Sequence, residues 1–158
     1  MSTNANPSAT ITLNIATFNG INTGTFCTLS GVQVVSSGGA SVSANPLPPY
    51  TVRTVQPAGQ PLALTFQATG PQPAAGQGSA VYSVEAVYFS GSGQGSVFSS
   101  PSENNGTVTV TDTPTASRPT GKGEYLAVVK RTVTDSTGTI TWVSVGVIDP
   151  PIDNEPGK

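Results

Sequence analysis

Histidine is absent from this chain and cysteine occurs once, at Cys27. Those two facts remove the Ser-His-Asp and Cys-His nucleophile systems, because no imidazole base is present. They also remove zinc sites of the Cys/His type and the one side chain that titrates unperturbed near neutrality. Carboxylates remain, and the candidates for paired chemistry are Glu85, Glu103, Asp112, Glu124, Asp135 and Asp149. Two of them held about 5–10 Å apart across a sugar would suit glycoside hydrolysis. Glu85 is the leading candidate because it falls mid-strand, yet alternation turns it away from the apolar face and into solvent. A Ser-Lys dyad would have to use Lys122 or Lys130, and no motif surrounds either. The glycine-rich "GSGQGS" lacks the terminal glycine of the dinucleotide pattern and precedes no helix. "TGKGE" has no glycine at phosphate-loop distance and no Ser or Thr after its lysine. The residues read as a non-enzymatic protein.

Binding chemistry is the next question. A sugar platform needs an exposed aromatic face beside polar groups. The candidates are Trp142 with Lys130 or Arg131, Tyr50 in "PLPPYT", and Tyr88 of the Tyr88–Phe89 pair before a glycine loop. The plainer role for Trp142 is sheet packing under the stem of a Lys or Arg. Hard oxygen ligands gather in "DPPIDNE", where Asp149, Asp153, Asn154 and Glu155 could hold calcium. Their spacing matches no known calcium loop, so a solvated acidic tail is the default reading, and no cofactor is otherwise expected. Asn105-Gly106-Thr107 fits a glycan acceptor pattern but reads first as a tight turn before a strand. Cys27, beside Phe26 and Leu29, reads as a small core residue, with an intermolecular disulfide as the alternative.

The elements that must position these residues are all strands. No helical period survives; apolar residues alternate, with Gly, Pro, Asn and Ser between the runs. "ATITLNIATF" sets Ile11, Leu13 and Ile15 on one face, and "PLALTFQA" does so with Leu62, Leu64 and Phe66. "SAVYSVEAVYF" gives Ala80, Tyr82, Val84, Ala86 and Tyr88 as its apolar face. "GTVTVTDT" gives Val108 and Val110. Less regular strands run through "TFCTLSGVQVV", where the phase slips near Gly31 as a bulge would make it, through "YTVRTVQ", and through a short "GSVFSS".

The last strong element is a hairpin, "GEYLAVVKRTVTDSTGTITWVSVGVIDPP". Asp135 can accept bonds from the backbone ahead of it, and Gly138 can take the positive φ of a three-residue loop. That register sets Asp135 opposite Thr139. It groups Tyr125, Ala127 and Val129 with Val143, Val145 and Val147 on one dry face. Lys130 and Trp142 then share the other face; a longer loop would put Arg131 opposite Trp142 instead.

These runs predict one all-β domain over residues 1–158. It is an antiparallel two-sheet sandwich of about eight or nine strands, with an N-terminal arm at 1–8 and a C-terminal tail at 150–158. It resembles immunoglobulin-like and jelly-roll domains in strand count and spacing, but the lone Cys27 departs from the paired cysteines of true immunoglobulin domains.

Charged residues make up 9% of the chain, far below the ~25% of an ordinary soluble domain. Repulsion between copies is correspondingly weak, which points to homo-oligomers or larger assemblies. The formal net charge is −2 and the basic residues are scattered, so no stripe for nucleic acid exists. No run approaches the ~18 apolar residues of a membrane helix, and "MSTNANPSAT" does not have the pattern of a signal peptide. The sequence therefore predicts a structural or assembly protein, such as a virion, phage or surface-filament component. Its setting would be cytoplasmic, particle-associated or reached without a signal peptide. The rival reading is a lectin-like module whose partners are glycans.

Overall fold

The computed structural model describes residues 6–18, 27–55, 60–90, 98, 101–113 and 121–155, without the side chains of 90, 121–123 and 153–155. It is all-β, with eleven strands among those residues. In chain order these are β1 (Ser8–Phe18), β2 (Cys27–Ser37), β3 (Ser41–Ala44), β4 (Val52–Val55), β5 (Leu62–Thr69) and β6 (Ser79–Ser90). They continue as β7 (Ser102–Asn104), β8 (Thr107–Asp112), β9 (Gly121–Thr134), β10 (Ile140–Ile148) and β11 (Pro151–Glu155).

Two sheets face each other. The first runs β2-β1-β5-β8-β7. In the second, β9 is the hub: β6 lies along one side, and β10 followed by β11 along the other, with β4 and β3 beyond β11. The sandwich expected from the alternation is thus present, with two additions. β1 pairs β5 in parallel and β11 pairs β4 in parallel, so both sheets are mixed. Three short strands, β3, β7 and β11, carry too few residues for a period to declare itself. β11 takes up much of the segment expected as a C-terminal tail. The "GSVFSS" strand falls outside the described residues except for Phe98, which bridges Asp112.

The core fills the space between the sheets. Ile11, Leu13, Leu62, Leu64, Phe66 and Val108 come from the first sheet, in the phase that their alternation predicts. Val52, Val84, Val87, Tyr125, Ala127, Val129 and Ile152 come from the second. The aromatic rings cluster: Phe66 meets Tyr125 at 5.2 Å between centroids, and Phe89 stacks on Phe98 at 4.1 Å. Full burial of a large apolar side chain is worth about 1.5–3 kcal/mol, so these rows hold the two sheets together.

Bulges decide which side chains reach that core. The slip expected near Gly31 is seen where β1 pairs β2, between Asn14 and Ile15. A second bulge falls at Glu85 and reverses the phase of β6. Ala80, Tyr82 and Val84 face inward as expected, but Ala86 and Tyr88 turn outward, and Val87 and Phe89 take their places on the inner face.

A third bulge corrects the hairpin. The turn forms as its sequence predicts: Asp135 N–H donates to Thr139 O at 2.9 Å, and Gly138 sits at φ 86°. Asp135 Oδ1 accepts from Thr137 N, Thr137 Oγ1 and Thr139 N. These bonds, the Thr137 hydroxyl first, hold its carboxyl below the usual carboxylate range. The pairing then shifts between Ile140 and Trp142, so that Trp142 stands opposite Val133 and Val145 opposite Lys130. The expected dry face of Tyr125, Ala127 and Val129 with Val143, Val145 and Val147 is therefore not formed. Ser144, Gly146 and Ile148 face inward instead, against Arg131, Val129 and Ala127. Side-chain size explains the exchange: small Ser144 and Gly146 sit beside Arg131 and Val129, and large Ile148 beside small Ala127. A second row of valines could not be fitted beside those β9 side chains at interior packing density.

Candidate functional site

The bulges of β6 and β10 leave the sandwich with two unlike outer faces. On the first sheet, β1, β5 and β8 turn Thr10, Thr12, Asn14, Thr65, Gln67, Thr69, Thr107 and Thr109 outward. These groups bond to one another along the surface. Thr65 and Thr109 hydroxyls lie 3.0 Å apart, Gln67 Nε2 donates to Thr12 Oγ1 at 2.8 Å, and Thr69 Oγ1 donates to Asn14 Oδ1 at 2.8 Å. None of those positions is charged.

On the second sheet, β6, β9 and β10 form an outer face of four rows. Val81–Thr132–Val143 is the first, Ser83–Lys130–Val145 the second, Ala86–Val128–Val147 the third and Tyr88–Leu126 the fourth. Val81 is 60% exposed, Tyr88 62%, and Val143 and Val145 53% each. Isolated exposed valines need no explanation; here Val145, Val147, Val128, Ala86, Tyr88 and Leu126 lie side by side on one sheet. At its centre Lys130 Nζ lies 2.9 Å from Glu85 Oε1, and Ser83 Oγ donates to the same oxygen at 2.7 Å. The Lys130 contact first, then the Ser83 bond, hold the Glu85 carboxyl below its ordinary value. The β6 edge beside it is covered: Val84 N–H donates to Gly106 O at 2.8 Å, across from the β7–β8 turn.

The structure separates most of the expected site residues. Lys130 and Tyr88 share the outer face. Trp142 is on the inner side of β10, part-exposed, with its indole N–H donating to Ser144 Oγ at 2.5 Å. The expected meeting of Trp142 with Lys130 is thus replaced by opposite faces. Arg131 also points inward, its guanidinium 5.2 Å from the Phe18 ring centre, and its Nε is buried with no partner among the described residues. Cys27 lies nearby and is buried; desolvation pushes its thiol up to about 11, offset in part by Arg131. It reads as a core residue.

Tyr50 belongs to a separate cleft with Cys27, Leu29, Pro49, Ile148, Asp149 and Pro150. It follows a cis Pro48–Pro49 bond, and its φ of 59° is left-handed. Of the expected calcium ligands, Asp149 is exposed. Residues 153–155 pair through their backbone with β4, and their side chains lie outside the described residues. Among the described residues no three Asp, Glu or Cys side chains gather as a metal group would, and no helix is long and apolar enough to cross a membrane.

Two features escaped the sequence reading. The Glu85–Lys130 pair depends on knowing that β6 lies beside β9, since cross-strand ion pairs carry no local motif. Asp112 is fully buried, and there a signal was available: the run Val108, Val110, Asp112 continues the inward phase.

No protein-family model matches this chain, and no curated protein does. Among solved structures, the inclusion body protein PixA from Burkholderia cenocepacia J2315 superposes with a TM-score of 0.57. The match covers 98% of this chain and 99% of that one at 9% sequence identity. At that identity the likeness is one of fold.

Proposed function

We propose that this is a non-enzymatic structural protein that works by associating with copies of itself. The observation that carries the reading is the outer face of β6, β9 and β10, where Val81, Tyr88, Val143 and Val145 stand in solvent around a neutral ion pair. The uncharged hydroxyl face of the opposite sheet and the 9% charge content support it, because neither opposes the approach of a second copy. The shared fold with a protein named for inclusion bodies supports it as well. The setting would be a particle, filament or inclusion built from many copies. Negative-stain electron microscopy of protein concentrated without precipitant tests this: ordered assemblies are expected, and a field of single particles at every concentration overturns it.

A carbohydrate-binding module is the second reading. What favours it is exposed Tyr88 beside a cleft lined by Glu85, Pro101 and Glu103. Binding on a glycan array that is lost in Tyr88→Ala would support it, and an array without hits removes it.

A further inference from the structure

The proposal above leaves open which surface carries the association, and the sheet faces differ enough to choose. We propose, resting on that reading, that two copies pack through the outer face of β6, β9 and β10 about an in-plane two-fold axis that runs along the strands.

The outer face of β6, β9 and β10 pairs Lys130 on β9 with Glu85 on β6 at 2.9 Å, and exposed Glu124 lies towards one end of it, in phase with Leu126. An isologous contact must be complementary to itself. An axis lying between β6 and β9 sets Glu85 of each copy against Lys130 of the other, so two ion pairs become a four-charge ring with alternating signs. An axis across the strands would instead bring like charges together. The pair thereby selects one orientation, which is the usual contribution of interfacial charge. About that axis a second copy gains both contacts.

The apolar groups agree with that axis. β6 of one copy then lies over β9 of the other, with Val81 above Thr132 and Tyr88 above Leu126. Val143 and Val145 close over the outer flank of the opposing β6. Side chains meeting between sheets about 10 Å apart are the ordinary geometry of aligned packing.

Area sets the strength. About that axis two strands about 4.8 Å apart overlap over some eight residues at ~3.3 Å each, roughly 250 Å² in plan, with β10 at the flanks. Specific interfaces of standard size bury about 800 Å² per partner. The contact therefore belongs to the weak, transient class. A two-fold contact closes on a pair of copies, so a larger assembly needs further contacts elsewhere on the surface.

Charge reversal tests it. Glu85→Lys and Lys130→Glu singly are expected to weaken self-association at least tenfold in sedimentation equilibrium. The double swap, which rebuilds every pair with signs exchanged, is expected to return it to within about twofold of the starting protein. Val145→Asp should abolish it, with circular dichroism confirming that each variant is folded. Hydroxyl-radical footprinting of the associated protein should show protection at Val81, Tyr88 and Val145. Self-association that persists unchanged in all four variants, with those residues unprotected, overturns the interface while leaving the proposed function standing. A starting protein that never associates removes both.

Discussion

Replacing Tyr125 by Phe should stabilise the protein, and the structure supplies the size of the effect. Tyr125 is fully buried, in ring contact with Phe66 at 5.2 Å and Phe89 at 6.4 Å. Its hydroxyl has no hydrogen-bond partner among the described residues, and burial pushes its ionisation far above the ordinary tyrosine range. An unpaired hydroxyl moved out of water costs about 1–3 kcal/mol. Phenylalanine keeps the ring, so the aromatic contacts survive, and the missing oxygen leaves a void that takes back part of the gain. A net stabilisation of about 0.5–2 kcal/mol follows. For a chain of 158 residues, each kcal/mol moves the melting temperature by about 2–4 °C. Urea unfolding with an unchanged m-value, alongside calorimetry, reads it directly. Loss of about 1 kcal/mol or more would refute the reasoning, because it would mean that the hydroxyl is bonded in the folded state.

The bulge between Ile140 and Trp142 makes a test of register: Val143→Thr and Val145→Thr should change stability by under about 0.5 kcal/mol, whereas Val129→Thr should cost about 1–3 kcal/mol. An unbroken register predicts large losses at 143 and 145 as well. Cys27 gives a pH dependence. Its thiol rises from 9.0 to about 11 in the folded protein, so its contribution is complete below pH 9 and is lost as the pH climbs towards 11. Melting temperature against pH should therefore fall over that window, and less steeply in Cys27→Ala; equal slopes would contradict the burial. Gly106 sits at φ 79°, and a Cβ there would lie 2.8 Å from Ser83 Cβ. Gly106→Ala should cost about 1–3 kcal/mol and speed amide exchange at Val84, whose N–H bonds to Gly106 O; unaltered exchange would show that the turn does not guard the β6 edge.

Much of this architecture was legible in the residues, for reasons that also mark where legibility stops. Ile11, Leu13 and Ile15, then Leu62, Leu64 and Phe66, alternate against Thr, Asn and Gln, so only one phase can be buried. The Asp135–Gly138 turn and the Asn105-Gly106 turn announce themselves because positive φ demands those residue types. The slip at Gly31 was visible because the apolar phase changes there, from Cys27 and Leu29 to Val32 and Val34. The bulges at Glu85 and before Trp142 have no glycine to mark them. In "TWVSVGVI" either phase is a credible strand, and burial of valines looked the better choice from one strand alone. The decision belongs to the neighbour: Arg131, Val129 and Ala127 leave room for Ser144, Gly146 and Ile148. The outer face of the second sheet was hidden by the same two bulges, since they are what bring Tyr88, Val143, Val145 and Lys130 onto one surface. Parallel pairings such as β1 with β5 join segments far apart in the chain and leave no local trace.

The central claim is self-association through the outer face of β6, β9 and β10, and sedimentation velocity over a wide concentration range tests it most directly. The weight-average sedimentation coefficient should rise with concentration, as expected of a weak interface. Added salt should change it only modestly, because most of the buried surface is apolar. A single monomer boundary of constant sedimentation coefficient over the whole range would contradict the account.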